Sequence, residues 1–155
     1  MFNFVLIALA SVYAQEKCIL TDRSAGKSYD FTKAMQKTIE DGYAFHKELY
    51  GTHAYVSFCK PINGSKIGCD KLKNSFAIYK YDDGRCLSLG KSQQIMGGSD
   101  PYVSFANGDK CDLGRVSSAS VGLNCEKEAG VGEITYYRFN EFCLLNAFAD
   151  TDAVC

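Results

Sequence analysis

The sequence predicts an all-β fold, either a closed barrel or two packed sheets, stapled by disulfides. Three observations predict it. Short strand-like runs recur from Ala54 to Phe148, with turn signals between them. Ten Tyr and ten Phe stand against no Trp and only two Pro, a composition that favours strands around an aromatic interior. Eight cysteines follow a short apolar leader, and an even count in that setting reads as crosslinks made in an oxidising compartment.

The leader runs from Met1 to Ala14. It is too short to span a bilayer, and Val12 and Ala14 suit signal peptidase, with cleavage before Gln15. Its start lacks Lys or Arg, so only the α-amine is positive there. The alternative is a buried N-terminal strand, which the polar Gln15-Glu16-Lys17 that follows at once disfavours. We read residues 1–14 as a signal peptide and residues 15–155 as one domain, since no repeat, low-complexity tract or linker interrupts them.

Phe31, Met35 and Ile39, with Ala34 and Thr38, follow helical spacing, so Phe31 to His46 reads as one amphipathic helix or a long turn. Ala54 to Cys59 reads as a strand ended by Lys60-Pro61-Ile62-Asn63-Gly64. Ser75 to Tyr81 and Arg85 to Leu89 form a hairpin about Asp83-Gly84, a strong short-range turn signal. Gly97 to Pro101 is a loop, and Tyr102 to Phe105 is a strand turned by Asn107-Gly108-Asp109. In Ser117 to Cys125 the residues Ala119, Val121, Leu123 and Cys125 share one face. Ile134 to Phe139 and Phe142 to Phe148 complete the strands.

Seventeen Lys and Arg against eighteen Asp and Glu leave a net charge of −1. That balance supplies no field for nucleic acid or an anionic membrane. Beyond the leader no apolar stretch reaches about 18 residues, so the domain carries no transmembrane anchor of its own.

Enzyme signatures are missing. There is no Gly-x-Ser-x-Gly, no His-Glu-x-x-His and no CxxC spacing, and Ala25-Gly26-Lys27-Ser28 has Thr21 where a phosphate loop needs glycine. Asp82 and Asp83 read as a solvated hairpin tip, and Lys71 and Lys73 as an exposed edge. His46 and His53 lack neighbouring ligands in sequence and read as surface or packing residues. We therefore expect no catalytic residues, no metal and no cofactor. Asn63-Gly64-Ser65 is a glycosylation sequon on a turn.

The ordered set Tyr29-Asp30-Phe31, Tyr55 to Cys59, Ser75 to Tyr79 with Asp83-Gly84, Tyr102 to Cys111 and Cys143 to Cys155 resembles the mannose 6-phosphate receptor homology (MRH) domain over essentially the whole of residues 15–155. Its most specific parts are the Tyr-x-x-Phe-x-Asn-Gly-Asp-x-Cys block ending at Cys111 and the final Cys-to-Cys tail. The resemblance implies a flattened β-barrel of two crossed antiparallel sheets. It also implies the pairing Cys18–Cys59, Cys69–Cys86, Cys111–Cys143 and Cys125–Cys155, where the sequence alone allows on the order of a hundred pairings.

Lectins of the family hold mannose with Gln, Arg, Glu and Tyr, whose amide, guanidinium, carboxylate and phenol groups meet sugar hydroxyls. Position by position, Ile78 stands where the Gln belongs, Leu145 where the Tyr belongs, and Ser117 where the Arg belongs, with Arg115 two residues early. A bulge before Ser117 would return Arg115 to the pocket. Glu133 and Glu141 are both candidates for the carboxylate.

The sugar site read from the sequence is thus Arg115 with Glu133 or Glu141, and it is degenerate. The expected function is that of a secreted or lumenal MRH-like binding module that recognises a glycoprotein or another secretory-pathway protein, without high-affinity mannose 6-phosphate binding. The alternative is a working lectin for mannose-containing N-glycans.

Overall fold

The computed structural model describes residues 16–155, so the leader lies outside it. Among these residues a small hairpin comes first, β1 (Ile19–Asp22) with β2 (Lys27–Asp30), then helix α1 (Thr32–Asp41). Eight further strands follow: β3 (Phe45–Leu49), β4 (Thr52–Val56), β5 (Ala77–Lys80), β6 (Cys86–Met96), β7 (Tyr102–Asn107), β8 (Ser118–Cys125), β9 (Glu133–Phe139) and β10 (Leu144–Thr151). They form one sheet in the order β3-β4-β5-β6-β7-β8-β10-β9.

The sheet curls until β9 lies against β3. The hydroxyls of Thr52 and Tyr137 meet across that seam at 2.5 Å. The result is a nearly closed barrel. Every pairing in the large sheet is antiparallel except β8 with β10. The chain leaves β8, runs past a free slot to make β9, and turns back to fill the slot, which forces β10 parallel to β8.

One end of the barrel is plugged. Phe31, just before α1, stacks on Phe58 at 4.5 Å, and Phe45 meets Phe58 edge-on at 5.0 Å. Helix α1 buries Ala34, Met35 and Thr38, but Ile39 is 59% exposed, so the apolar stripe is narrower than its spacing suggested. The helix also ends early. Gly42 takes a left-handed conformation (φ 92°) and donates its N–H to the Thr38 carbonyl. Phe45 to Leu49 then alternates as a strand instead of continuing the helix to His46.

The β1–β2 hairpin, invisible to pattern reading because its strands have four residues each and are mostly polar, is fixed to this end by Asp22. That buried carboxylate accepts hydrogen bonds from the Ser24 hydroxyl and the backbone N–H groups of Ser24, Ala25 and Gly98.

Apolar residues form two clusters. The main one fills the barrel. The second lies outside it, where Ile78 packs with Tyr55, Ile62, Ile67 and Cys69 beneath the segment joining β4 to β5. Four disulfides complete the frame: Cys18–Cys59, Cys69–Cys86, Cys111–Cys143 and Cys125–Cys155. The first anchors the β1–β2 hairpin, the second holds the roof over Ile78, and the last two bracket the β8–β10 pair at its two ends.

Candidate functional site at the open barrel end

The other end of the barrel is framed by four connections: Tyr50-Gly51 between β3 and β4, residues 81–85 between β5 and β6, residues 108–117 between β7 and β8, and residues 140–143 between β9 and β10. Hairpin registers put them there. Tyr50 (φ 52°) and Gly51 (φ 79°) are both left-handed, as a two-residue hairpin turn demands. Glycine accepts that conformation freely. Tyr50 adopts it at a cost, with its side chain 98% exposed. Asn140 binds its own turn, its Oδ1 accepting from the N–H groups of Phe142 and Leu144.

Aromatic rings fill the mouth between these turns. Tyr79 stacks on Phe139 at 4.2 Å, and Tyr81 meets Tyr79 edge-on at 4.8 Å. The Arg85 guanidinium lies over the Tyr81 ring at 4.6 Å and is held by Asp83 at 2.8 Å and Asp112 at 3.6 Å. Burial, with Asp112 close by, pushes the Tyr81 phenol up, so it stays protonated. Leu145 is fully buried in the same interior cluster.

The residues singled out from the sequence do not converge. Ile78 and Leu145 are both fully buried but face opposite sides of the sheet, Ile78 outward under its roof and Leu145 into the barrel. Ser117 is buried, and its hydroxyl finds no hydrogen-bond partner among the described residues. Arg115 is exposed, with its guanidinium 4.7 Å from the Phe142 ring centre. Glu141 belongs to the same turn as Phe142, so Arg115 and Glu141 share the rim. Glu133 does not. It pairs with Asp150 at the start of β9, while Phe139 at the strand's other end pairs with Leu145. Six residues of strand, about 20 Å, separate those ends.

Gln93 is committed elsewhere, accepting from the Cys59 N–H at 2.7 Å and donating to the Ser57 carbonyl at 3.0 Å. The sequon residue Asn63 is exposed, and its side-chain oxygen accepts from the Ser65 N–H. No group of three or more His, Cys, Asp or Glu suited to a metal occurs among the described residues.

Two features escaped sequence reasoning. His46 and His53, far from isolated, are diagonal neighbours on the outer face of β3 and β4: His46 Nε2 and His53 Nδ1 share a hydrogen bond of 2.8 Å, and Tyr55, the cross-strand partner of His46, stacks on it at 4.5 Å. Burial, then the charge of His53, holds the His46 imidazole below its ordinary pKa. The second feature is apolar exposure on the rim. Leu113 is 67% exposed, Val116 57% and Phe142 53%. Loop position was the available signal for Leu113 and Val116, since apolar residues between strands that bury nothing face water, whereas Phe142 reads from the sequence as the start of a strand that in fact begins at Leu144.

No family model matches the chain, and no curated protein sequence matches it. Solved structures do. Domain 11 of the echidna mannose 6-phosphate/IGF2R receptor is similar at 17% identity and a TM-score of 0.66, over 89% of this chain and 94% of that one. Chicken IGF2R domain 11 is similar at 14% identity and a TM-score of 0.63, over 86% of this chain and 87% of that one. The chain therefore has an MRH-like fold.

Proposed function

We propose that this chain is a non-enzymatic recognition module of the secretory pathway or extracellular space, and that it grips a protein partner with the rim of its open barrel end. One observation carries the reading. The mouth that would hold a sugar is filled by the Tyr79–Phe139 stack and Tyr81 above a fully buried Leu145, whereas the rim around it displays Tyr50, Leu113, Val116 and Phe142. Rings seated face to face leave no unpaired donors for hydroxyls, and a sugar displacing them would lose their packing as well. Exposed apolar side chains in charged surroundings are what a protein interface buries at its centre. Four disulfides fit an oxidising compartment. The partner is a secretory-pathway protein or glycoprotein, and recognition at the rim needs no mannose 6-phosphate.

A second reading, a lectin for mannose-containing N-glycans, has one observation in its favour: Arg115 and Glu141 stand on the same rim.

Two measurements separate the readings. A glycan array on the disulfide-bonded protein is expected to be blank. A photo-crosslinker at Phe142 is expected to trap a defined protein from a secretory lysate, before and after glycosidase treatment, while the same group at Ile39 traps none. Mannose binding that Arg115→Ala abolishes would replace the rim reading with the lectin.

A further inference from the structure

Of the outward-pointing side chains of β8, β10 and β9, three adjacent rows run across all three strands. In the middle row, Gly122, Phe148 and Tyr136 are cross-strand neighbours, with Tyr102 of β7 beyond Gly122. On one side of it lie Ser120, Asn146 and Arg138, and on the other Asn124, Asp150 and Glu133. Phe148 is 60% and Tyr136 54% exposed. Gly122 leaves space beside them. A Cβ there would lie 3.1 Å from the Phe148 ring, and a cleft of about 480 Å³ opens between Tyr102 and Phe148.

Rotation by 180° about an axis along the aromatic row lays this face on a copy of itself. The operation keeps each strand over its counterpart and exchanges the two outer rows. Tyr136 then meets Tyr136, and Phe148 meets Phe148 beside the cleft over Gly122. Arg138 of each copy falls opposite Glu133 of the other, and Asn146 opposite Asp150. A face with an uncharged aromatic centre, a cation on one flank and carboxylates on the other is complementary to itself under this operation. A two-fold axis along the strands would instead lay each outer row on itself and leave both pairs unmade. The aromatic and Arg content of the face matches the composition of interface centres.

From this we infer that the chain forms a two-fold homodimer through the outer face of β8, β10 and β9, leaving the rim of each barrel free. Aromatic burial supplies affinity, and the Arg138–Glu133 pairs set the register.

Sedimentation velocity on the disulfide-bonded protein over a range of concentrations tests it. A concentration-dependent dimer is expected, and Phe148→Ser is expected to abolish it without lowering the melting temperature measured at dilutions where the parent chain is monomeric, because that ring is exposed in the single chain. Arg138→Glu and Glu133→Arg are each expected to weaken the dimer at least about tenfold. An equimolar mixture of these two variants is expected to dimerise again, as is the double variant. A monomer at every concentration would overturn the proposal. So would a dimer indifferent to Arg138→Glu, or a mixture that fails to recover.

Discussion

Two side chains respond to acid in different windows. Asp22 accepts four hydrogen bonds, and the Ser24 hydroxyl, followed by the Gly98 N–H, holds its carboxyl below the usual value of 3.8. A carboxylate depressed in the folded state contributes stability that is complete above its unfolded pKa and is lost as pH falls through the folded one. His46 sits below 6.5 because burial disfavours the imidazolium and the neighbouring His53 charge repels it; Lys37 adds to this and Glu48 opposes it. Its neutral form is the one the fold favours. This contribution is complete above about pH 6.5 and declines as acid protonates the unfolded chain in preference. Denaturant midpoints measured against pH are therefore expected to fall in two steps, one just below 6.5 and one below about 4. His46→Gln should flatten the first step alone, and Asp22→Asn should reduce the second alone, which Asp30 and Asp83, also held below the usual carboxylate value by hydrogen bonds, share. A single step that neither substitution changes would refute both assignments.

Elements were legible where one face repeats and obscure where local pattern is weak. The seven strands read from apolar runs and turn signals, Ala54 to Cys59 through Phe142 to Phe148, correspond to β4 through β10, because each run buries at least one face and most are bounded by Gly or Asn turns. The β1–β2 hairpin and β3 were missed. The first is mostly polar and relies on Asp22 and a disulfide, and the second follows a helix whose stop was a single left-handed glycine. The candidate site was less legible than the fold. Ile78 and Leu145 could be named as apolar from the sequence, but that Ile78 is buried on the outer face depends on a roof crossing from residue 60 to 72, whereas Leu145 is buried in the barrel. That roof is itself a testable element. Cys69–Cys86 spans 17 residues and holds Ile67 and Ile62 over Ile78. Replacing both cysteines by Ser is expected to cost roughly 2–4 kcal/mol by the loop-entropy account. The loss should expose the Ile78 cluster, read as dye binding and as faster amide exchange in β4 and β5. Unchanged exchange there would mean the roof stays seated without its crosslink.

At the scale of the whole molecule, β8 with β10 is the pairing that joins the last two strands to the rest of the sheet and so carries β9 round to β3, and it has the least local help. It is parallel, so no hairpin can make it, and β9 must form and turn back before β10 has a place. Such non-local pairing carries a large closure cost before any contact rewards it. Two disulfides offset that cost at the two ends of the pair. Cys111–Cys143 spans 32 residues beside Ser118 and Leu144, and Cys125–Cys155 spans 30 beyond Thr151. By the loop-entropy account each restricts the unfolded chain by about 3–4 kcal/mol. Removing Cys125–Cys155 as a pair should thus act on that parallel pairing itself. Amides of β8 and β10 near Leu123 and Ala149 are expected to lose protection first, while the Tyr79–Phe139 stack, next to the other bracket, keeps its order longest. Cys155→Ala alone is expected to do worse than the double replacement, because it frees Cys125 to form mixed disulfides. Hydrogen exchange by mass spectrometry on both variants decides the matter. Protection lost evenly across all strands would show that the barrel closes as one unit, with no special dependence on its parallel pair.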